Sequence, residues 1–293
     1  MTDINGTGMK RAALINDLSC IGKCSLSVAL PIISAFGAEA VALPTAVLST
    51  HTGGFGEYVM RDMTQEMREF IAHWKRLNVK FDCIYTGFFS SIEQMEISAQ
   101  FIRDFGGDGC LIIVDPVLGD DGALYGCFSD DFVAHMRALC RLADVITPNR
   151  TEAALLTGLN MDSPAEALLA RLDAKNAIVT GVRRGGGVGY SARLDGERAE
   201  FFRPYLDIEL HGTGDVFTSA LCGGALSGIG MAEAFYNAAE FCDECVQETA
   251  RRQPSHWYGL AFEEILRRRL FKNEQYNKRE GPEPVVRKPS GAD

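Results

Sequence analysis

The chain has 293 residues, 46% of them hydrophobic and 23% charged, which is ample material for a large core. Its formal net charge of −10 argues against general nucleic-acid binding and against adhesion to an anionic membrane. Residues 1–10 are polar and glycine-containing, with no signal-peptide core, and no apolar run is long enough to span a bilayer, so a cytoplasmic location is expected.

Residues Ala12–Ile15 form a short apolar run, read as the first strand. It leads into the polar turn Asn16-Asp17-Leu18-Ser19-Cys20-Ile21-Gly22-Lys23. That turn is not a Walker A loop, because position 17 is Asp where Gly is needed and position 24 is Cys where Ser or Thr is needed. Ser25–Phe36 follows a helical pattern closed by Gly37. Ala38–Leu48 is apolar enough for a second strand, and the small, polar loop Ser49–Gly56 follows it. Met60–Leu77 reads as an amphipathic helix, with Met63, Met67, Phe70, Ile71 and Trp74 on one face as core residues. Phe81–Thr86 is a strand, Ile92–Phe105 a helix, and Cys110–Val114 a strand apolar enough to be covered on both faces.

Asp115, Asp120 and Asp121 follow that strand, a pattern that suits Mg²⁺ and its waters, although Asp and Gly are also ordinary turn residues. Phe132–Leu142 is a helix and Asp144–Thr147 a strand. Asn149 and Glu152 stand three apart at the next helix start, so their side chains can face one point; as caps, they would serve the helix instead. Pro164–Leu172 is helical, Ala177–Thr180 is a strand ending at Gly181, and Tyr190–Leu194 with Ala199–Arg203 reads as a hairpin. Met231–Thr249 and Ala261–Leu270 are helices, and the polar, proline-containing residues 271–293 are expected to be disordered. Nine cysteines are scattered, mostly in apolar surroundings, as reduced buried thiols are. Cys242 and Cys245 are spaced C-x-x-C, but inside a helical run that offers no partners for zinc or redox work.

Strand and helix alternate from residue 12 to about 180, the signature of an α/β, doubly wound, mostly parallel sheet with helices on both faces. A flexible N-terminus (1–10), one domain (11–270) and a tail (271–293) are expected. Ligands of such sheets bind beyond the C-terminal strand ends, where most of the polar motifs fall. The most telling stretch is His211-Gly212-Thr213-Gly214-Asp215, at the start of a helical run through Val216, Phe217, Ala220 and Leu221. A helix N-terminus offers free N–H groups and partial positive charge, and glycines let an anion approach the backbone. A carboxylate beside such a cradle repels a phosphate but is well placed to take a proton from an attacking hydroxyl. The plainer alternative is that Asp215 caps the helix and the glycines only turn the chain.

D-P-V-x-G-D at 115–120, T-P-N-x-x-E at 147–152, V-T-G at 179–181 and G-T-G-D at 212–215 occur in an order that resembles the ribokinase-like superfamily, and within it the pyridoxal/pyridoxamine kinases. Ser49-Thr50-His51-Thr52-Gly53 resembles that family's S-N-H-T-G substrate loop. The resemblance implies ATP-dependent phosphorylation of the 5′-hydroxymethyl group of pyridoxal, pyridoxamine or pyridoxine, with Mg²⁺, often a monovalent cation such as K⁺, and commonly a homodimer. It implies Asp215 as catalytic base and Gly212, Thr213 and Gly214 as anion hole. It places Asp115 and Glu152 at the metal; Asp120, Tyr125, Asn149, Thr180 and Gly181 at the nucleotide; and Asp17, Ser19, Thr50, His51 and Phe88 around the substrate ring. Two positions depart from it: pyridoxal kinases tend to carry Ser where Asp17 falls and Tyr where Phe88 falls. Asp at the first resembles the hydroxymethylpyrimidine kinases of thiamine synthesis, the alternative substrate assignment. A non-catalytic relative that binds pyridoxal phosphate or nucleotide is the other alternative, and the intact Asp215 speaks against it.

Overall fold

A computed structural model describes residues 4–6 and 8–277 of the chain. The chain opens with β1 (Arg11–Ile21), α1 (Leu26–Ala35) and β2 (Glu39–Thr50). It continues through β3 (Met60–Asp62), α2 (Thr64–Arg76), β4 (Cys83–Thr86), α3 (Ile92–Phe105) and β5 (Leu111–Val114). A short ribbon, β6 (Gly119–Asp120) and β7 (Ala123–Leu124), precedes α4 (Asp130–Cys140), β8 (Val145–Ile146), α5 (Arg150–Thr157) and α6 (Ala165–Arg171). Then come β9 (Asn176–Arg184), β10 (Gly187–Leu194), β11 (Glu197–Pro204), α7 (Thr213–Leu226), α8 (Met231–Arg251) and α9 (Phe262–Asn277).

Among the described residues, nine strands form one sheet in the order β11-β10-β9-β8-β5-β4-β1-β2-β3. The six strands from β9 to β2 are mutually parallel, while β3, β10 and β11 join antiparallel at the edges. Each face has its own core because strand side chains alternate. Ala13 and Ile15 of β1 point to one side, with Met67, Phe101, Met136 and Leu168 of the covering helices. Ala12 and Leu14 point to the other, with Ile32, Phe217, Leu221 and Phe241. This is the doubly wound, mostly parallel α/β sheet expected of the ribokinase-like fold.

Several boundaries differ from expectation, each for a tertiary reason. The first strand does not stop at Ile15. It continues to Ile21, held by β2 as far as Ile21↔Thr50, with a register shift between Asn16 and Leu18. The expected helix from Met60 is two elements: Met60–Asp62 pairs with Ala46–Leu48 as an edge strand, and Asp62 then accepts from Thr64 N at 2.9 Å where the helix begins. Phe70, expected in the core, faces solvent at 40% exposure. The strand expected to end at Thr180 runs on through Gly181 to Arg184, because β10 pairs with it there. At the N-terminus, Asn5 is tied to the chain, accepting from Lys80 N and donating to Asn78 O, each at 2.9 Å. Of the expected disordered tail, residues 271–277 belong to α9, and 278–293 lie outside the described residues. No described helix is long and apolar enough to cross a membrane.

Candidate active site

The polar motifs converge beyond the C-terminal ends of the parallel strands. At the centre, α7 starts at Gly212, which is its N-cap with φ 78° and no side-chain cap hydrogen bond. The first-turn N–H groups are therefore left to a ligand. A Cβ on Gly212 would sit 2.1 Å from the Lys23 carbonyl oxygen, so only glycine permits this approach. A Cβ on Gly214 would meet only Asp115 Oδ2, at 3.9 Å, which sets the cradle directly against the end of β5. Thr213 and Asp215 complete the first turn. Asp215 is not the cap, so the capping alternative for it does not hold.

Burial pushes the Asp215 carboxyl up to about 7, with the nearby Asp17 carboxylate adding to the rise; hydrogen bonds from Ser25 and Asn16 oppose it. It keeps partial surface access, as a group that meets substrate must. A carboxylate poised near neutrality suits general-base work. Asp115, at 7% exposure, is raised well above the usual range by burial and then by Asp215. Thr147 hydrogen-bonds Asp115 and in turn accepts from Thr218 of α7 at 3.1 Å.

Asn149 and Glu152 do face one another, but as a capping box. Asn149 Oδ1 accepts from Glu152 N at 2.9 Å, and Glu152 Oε2 accepts from Asn149 N at 2.7 Å. Glu152 Oε1 accepts from Leu118 N at 3.1 Å, so both carboxylate oxygens hold backbone. The Asn149 amide donates to Gly119 O at 2.8 Å, and Thr151 accepts from Gly122 N at 3.0 Å; α5 thus carries the β6–β7 ribbon. Asp120 and Tyr125 stand exposed on and beside that ribbon. Thr180 bridges to Asn149 across the strand ends, beside exposed Gly181 at φ 69°.

The structure changes what Glu152→Gln should do. An amide has one accepting oxygen, so one of two buried N–H groups would face an NH₂. We expect a loss of about 1–3 kcal/mol in stability, read by chemical denaturation, alongside any effect on metal dependence. Unchanged stability would show that the box contributes nothing.

Among the described residues, no three His, Cys, Asp or Glu side chains cluster as a metal cage. The donor set still fits a hard cation. Asp115 and Glu152 are buried carboxylates; burial and then Asp115 raise Glu152, burial and then Asp215 raise Asp115, and among the described residues no cationic side chain offsets Asp115 or Asp215. Mg²⁺ is typically held by one or two carboxylates, waters and substrate phosphates, so a three-residue cage is not required.

On the substrate side, Asp17 and Ser19 are sealed together at 5% and 1% exposure, Ser19 Oγ donating to Asp17 Oδ2 at 3.0 Å. Burial raises the Asp17 carboxyl despite that bond. Thr50 Oγ1 is enclosed without a hydrogen-bond partner. Phe88 is half-buried, with the Phe128 ring 6.2 Å away. His51 is buried and tied to backbone on both sides. Its Nδ1 accepts from Gly53 N and its Nε2 donates to Tyr258 O, both at 3.0 Å, so the neutral ring is spent clamping two loops. Burial lowers its pKa, in keeping with that neutral form.

Three participants went unassigned in the sequence. Asn16 Oδ1 accepts from Asp17 N at 3.0 Å and Phe88 N at 2.8 Å, and its amide hydrogen-bonds Asp215. It reaches there because Gly87 has no Cβ; one would fall 2.4 Å from Asn16 Nδ2. A polar residue ending an apolar strand was the signal. Cys24 lies near Asp17 and Asp215, its thiol pushed far up by burial and by both carboxylates. The 253–259 segment packs on the Ser49–Gly56 loop, with Trp257 4.7 Å from the Phe55 ring, and nothing local in the sequence announces that contact.

The mostly parallel sheet, with the polar motifs gathered at its C-terminal strand ends, is the fold of the ribokinase-like kinases. Residues 30–259 match the phosphomethylpyrimidine kinase family, and the chain belongs to that family, whose members are phosphotransferases acting on an alcohol group. A Bacteroides thetaiotaomicron protein assigned to the same kinases, solved in one crystal form with pyridoxal, is similar to it. In that form it is 36% identical, with 89% of this chain and 95% of that one covered and a TM-score of 0.83. Lactobacillus plantarum pyridoxal kinase is 34% identical, with 91% and 99% covered and a TM-score of 0.83. The hydroxymethylpyrimidine/phosphomethylpyrimidine kinase of Bacillus subtilis is 27% identical, with 74% of this chain and 80% of that protein covered. The chain spans 50% and 65% of two other curated relatives, from Schizosaccharomyces pombe and Bacillus subtilis, assigned as pyridoxal and pyridoxine kinases.

Proposed function

We propose that the protein phosphorylates the 5′-hydroxymethyl group of pyridoxal, pyridoxamine or pyridoxine at the expense of ATP. The observation that carries this reading is Asp215 in the first turn of α7, beside an uncapped glycine N-terminus and facing Asp115. Asp215 orients the substrate hydroxyl and accepts its proton as the oxygen bonds to the γ-phosphorus; ADP leaves, and the alcohol becomes its phosphate ester. The N–H groups at Gly212–Gly214 meet the negative charge on the transferring phosphoryl. Asp115 would hold Mg²⁺, with Glu152 behind it or through water, and the ion would supply charge neutralisation on the phosphates. Asn149, Thr180, Gly181, Asp120 and Tyr125 would line the nucleotide side; Thr50 and Phe88 would meet the ring, with Asp17 and Ser19 behind. A monovalent cation, a homodimer and a cytoplasmic location belong to the same proposal by likeness to pyridoxal kinases.

The likeness to a protein solved with pyridoxal and to a pyridoxal kinase, both above 30% identity, supports the pyridoxal-type ring. The matched family and the Bacillus subtilis relative favour hydroxymethylpyrimidine as a second reading, as does Asp17. ATP consumption against pyridoxal, pyridoxamine, pyridoxine and hydroxymethylpyrimidine decides between them. Turnover with at least one pyridoxal-type alcohol is expected; turnover with hydroxymethylpyrimidine alone would replace the first reading by the second.

A further inference from the structure

Tyr85 lies in the middle of β4 at 1% exposure, larger than a core position needs and carrying a hydroxyl that the core does not use. Its cross-strand partners are Leu14 of β1 and Ile113 of β5. Two residues further along the same face of those strands stand Asn16, Gly87 and Asp115, the floor of the site. Tyr85 is therefore one pleat, roughly 7 Å, below the carboxylates. From the other side, α7 is registered against β4 by the Cys83 and Cys222 sulfurs, 3.5 Å apart. One turn back along the helix from there is Ser219, and one turn further is Asp215. The steps match: Cys83 with Cys222, Tyr85 with Ser219, and the Asn16–Gly87 level with Asp215.

The contacts agree with that ladder. The Tyr85 hydroxyl adjoins Ser219, with Asp115, Asp215 and Cys222 as its other polar neighbours. Tyr85 Oη and Ser219 Oγ are both enclosed, and neither has a hydrogen-bond partner within ordinary geometry. Two adjoining hydroxyls thus lie between the strand end that carries Asp115 and the helix that carries Asp215. A dry core would be served as well by Phe and Ala.

We infer that Tyr85 and Ser219 are positioning residues: their hydroxyls, packed together between β4 and α7, act as a spacer that sets the height of Asp215 and its glycine cradle over Asp115. The inference rests on the phosphotransfer reading above. Small errors of placement at a reacting centre cost rate steeply, and they do so without changing how tightly the substrates bind.

Tyr85→Phe and Ser219→Ala separate this role from plain packing. If the hydroxyls only fill space, removing an unsatisfied one leaves turnover alone and holds or raises Tm. The positioning role predicts that each variant loses about tenfold in kcat, with KM for ATP and for the alcohol within about twofold of the parent and Tm unchanged or higher. Because the two act as one spacer, the double variant should lose no more than the worse single one. Parental kcat in Tyr85→Phe overturns the inference, and so does a loss of rate that tracks a loss of Tm. A parent without turnover on any alcohol of the panel defeats the functional reading and this role with it. An active parent and an equally active Tyr85→Phe defeat this role alone.

Discussion

Asp215→Asn should lower turnover by about 10²- to 10⁴-fold, the usual contribution of a positioned general base. Asparagine keeps the shape of the carboxyl but accepts no proton, and it offers Ser25 and Asn16 one accepting oxygen in place of two. ATP affinity should hold or rise, since a negative charge beside the γ-phosphate is removed. Asp215 does not cap α7, so any change in stability comes through its bonds to Ser25 and Asn16 and is read separately as Tm. Turnover and ATP binding, measured beside the parent with Tm as control, test this. Near-parental turnover in a stable variant would remove Asp215 from the chemistry.

The same carboxyl makes a pH prediction. With its pKa at about 7, the ionised base is lost below neutrality, so kcat/KM should show an acid limb with its midpoint near pH 7. Stability moves the opposite way. The folded state binds the Asp215 proton more tightly than the unfolded chain, whose value is about 3.8. The resulting stabilisation is complete below that value and is lost as pH rises to about 7. Asp215→Asn should flatten that part of the stability profile in protein free of nucleotide. A profile of identical slope would mean the carboxyl is not raised.

Gly212→Ala is the second large effect. A side chain at φ 78° costs about 1–2 kcal/mol, and its Cβ would lie 2.1 Å from Lys23 O, so one of the two backbones must move. That displaces the N–H groups of the cradle, and the loss of one such donor elsewhere costs about 10²–10³ in rate. We expect a fall of that order in kcat with a measurable drop in Tm. Gly214→Ala is the control, because its Cβ meets only Asp115 Oδ2 at ordinary contact distance. It should fold like the parent. Equal and small effects in the two variants would show that the α7 N-terminus is not a tuned anion site.

How much of the site could be read in advance depended on how local its cause is. The cradle was legible because glycines before a helical apolar pattern leave little choice of conformation. Asp115 was legible because a carboxylate after a wholly apolar run must lie at a strand's end. The surroundings of His51 were not legible, since a ring in a flexible-looking loop gives no hint that the Tyr258 carbonyl, over two hundred residues away, accepts from its Nε2. Glu152 was ambiguous in the sequence, and its capping box is visible only with Leu118 in place. Asn16 was passed over as a turn residue because β1 looked complete at Ile15.

By itself, the sequence determined the alternation of strand and helix, hence the parallel sheet and the end of it that binds ligands, through side-chain periodicity and punctuation by glycine. Periodicity and capping act within a few residues, and they survive without knowledge of the fold. Only the tertiary structure decided that β1 reaches Ile21, that Met60–Asp62 is an edge strand, and that α9 continues to Asn277. It alone brought Asp17, Cys24 and Asn16 against Asp215, and Tyr85 beneath it. Those outcomes depend on which strands pair and which helix packs on them, and on burial that raises a carboxyl only when distant parts of the chain close around it.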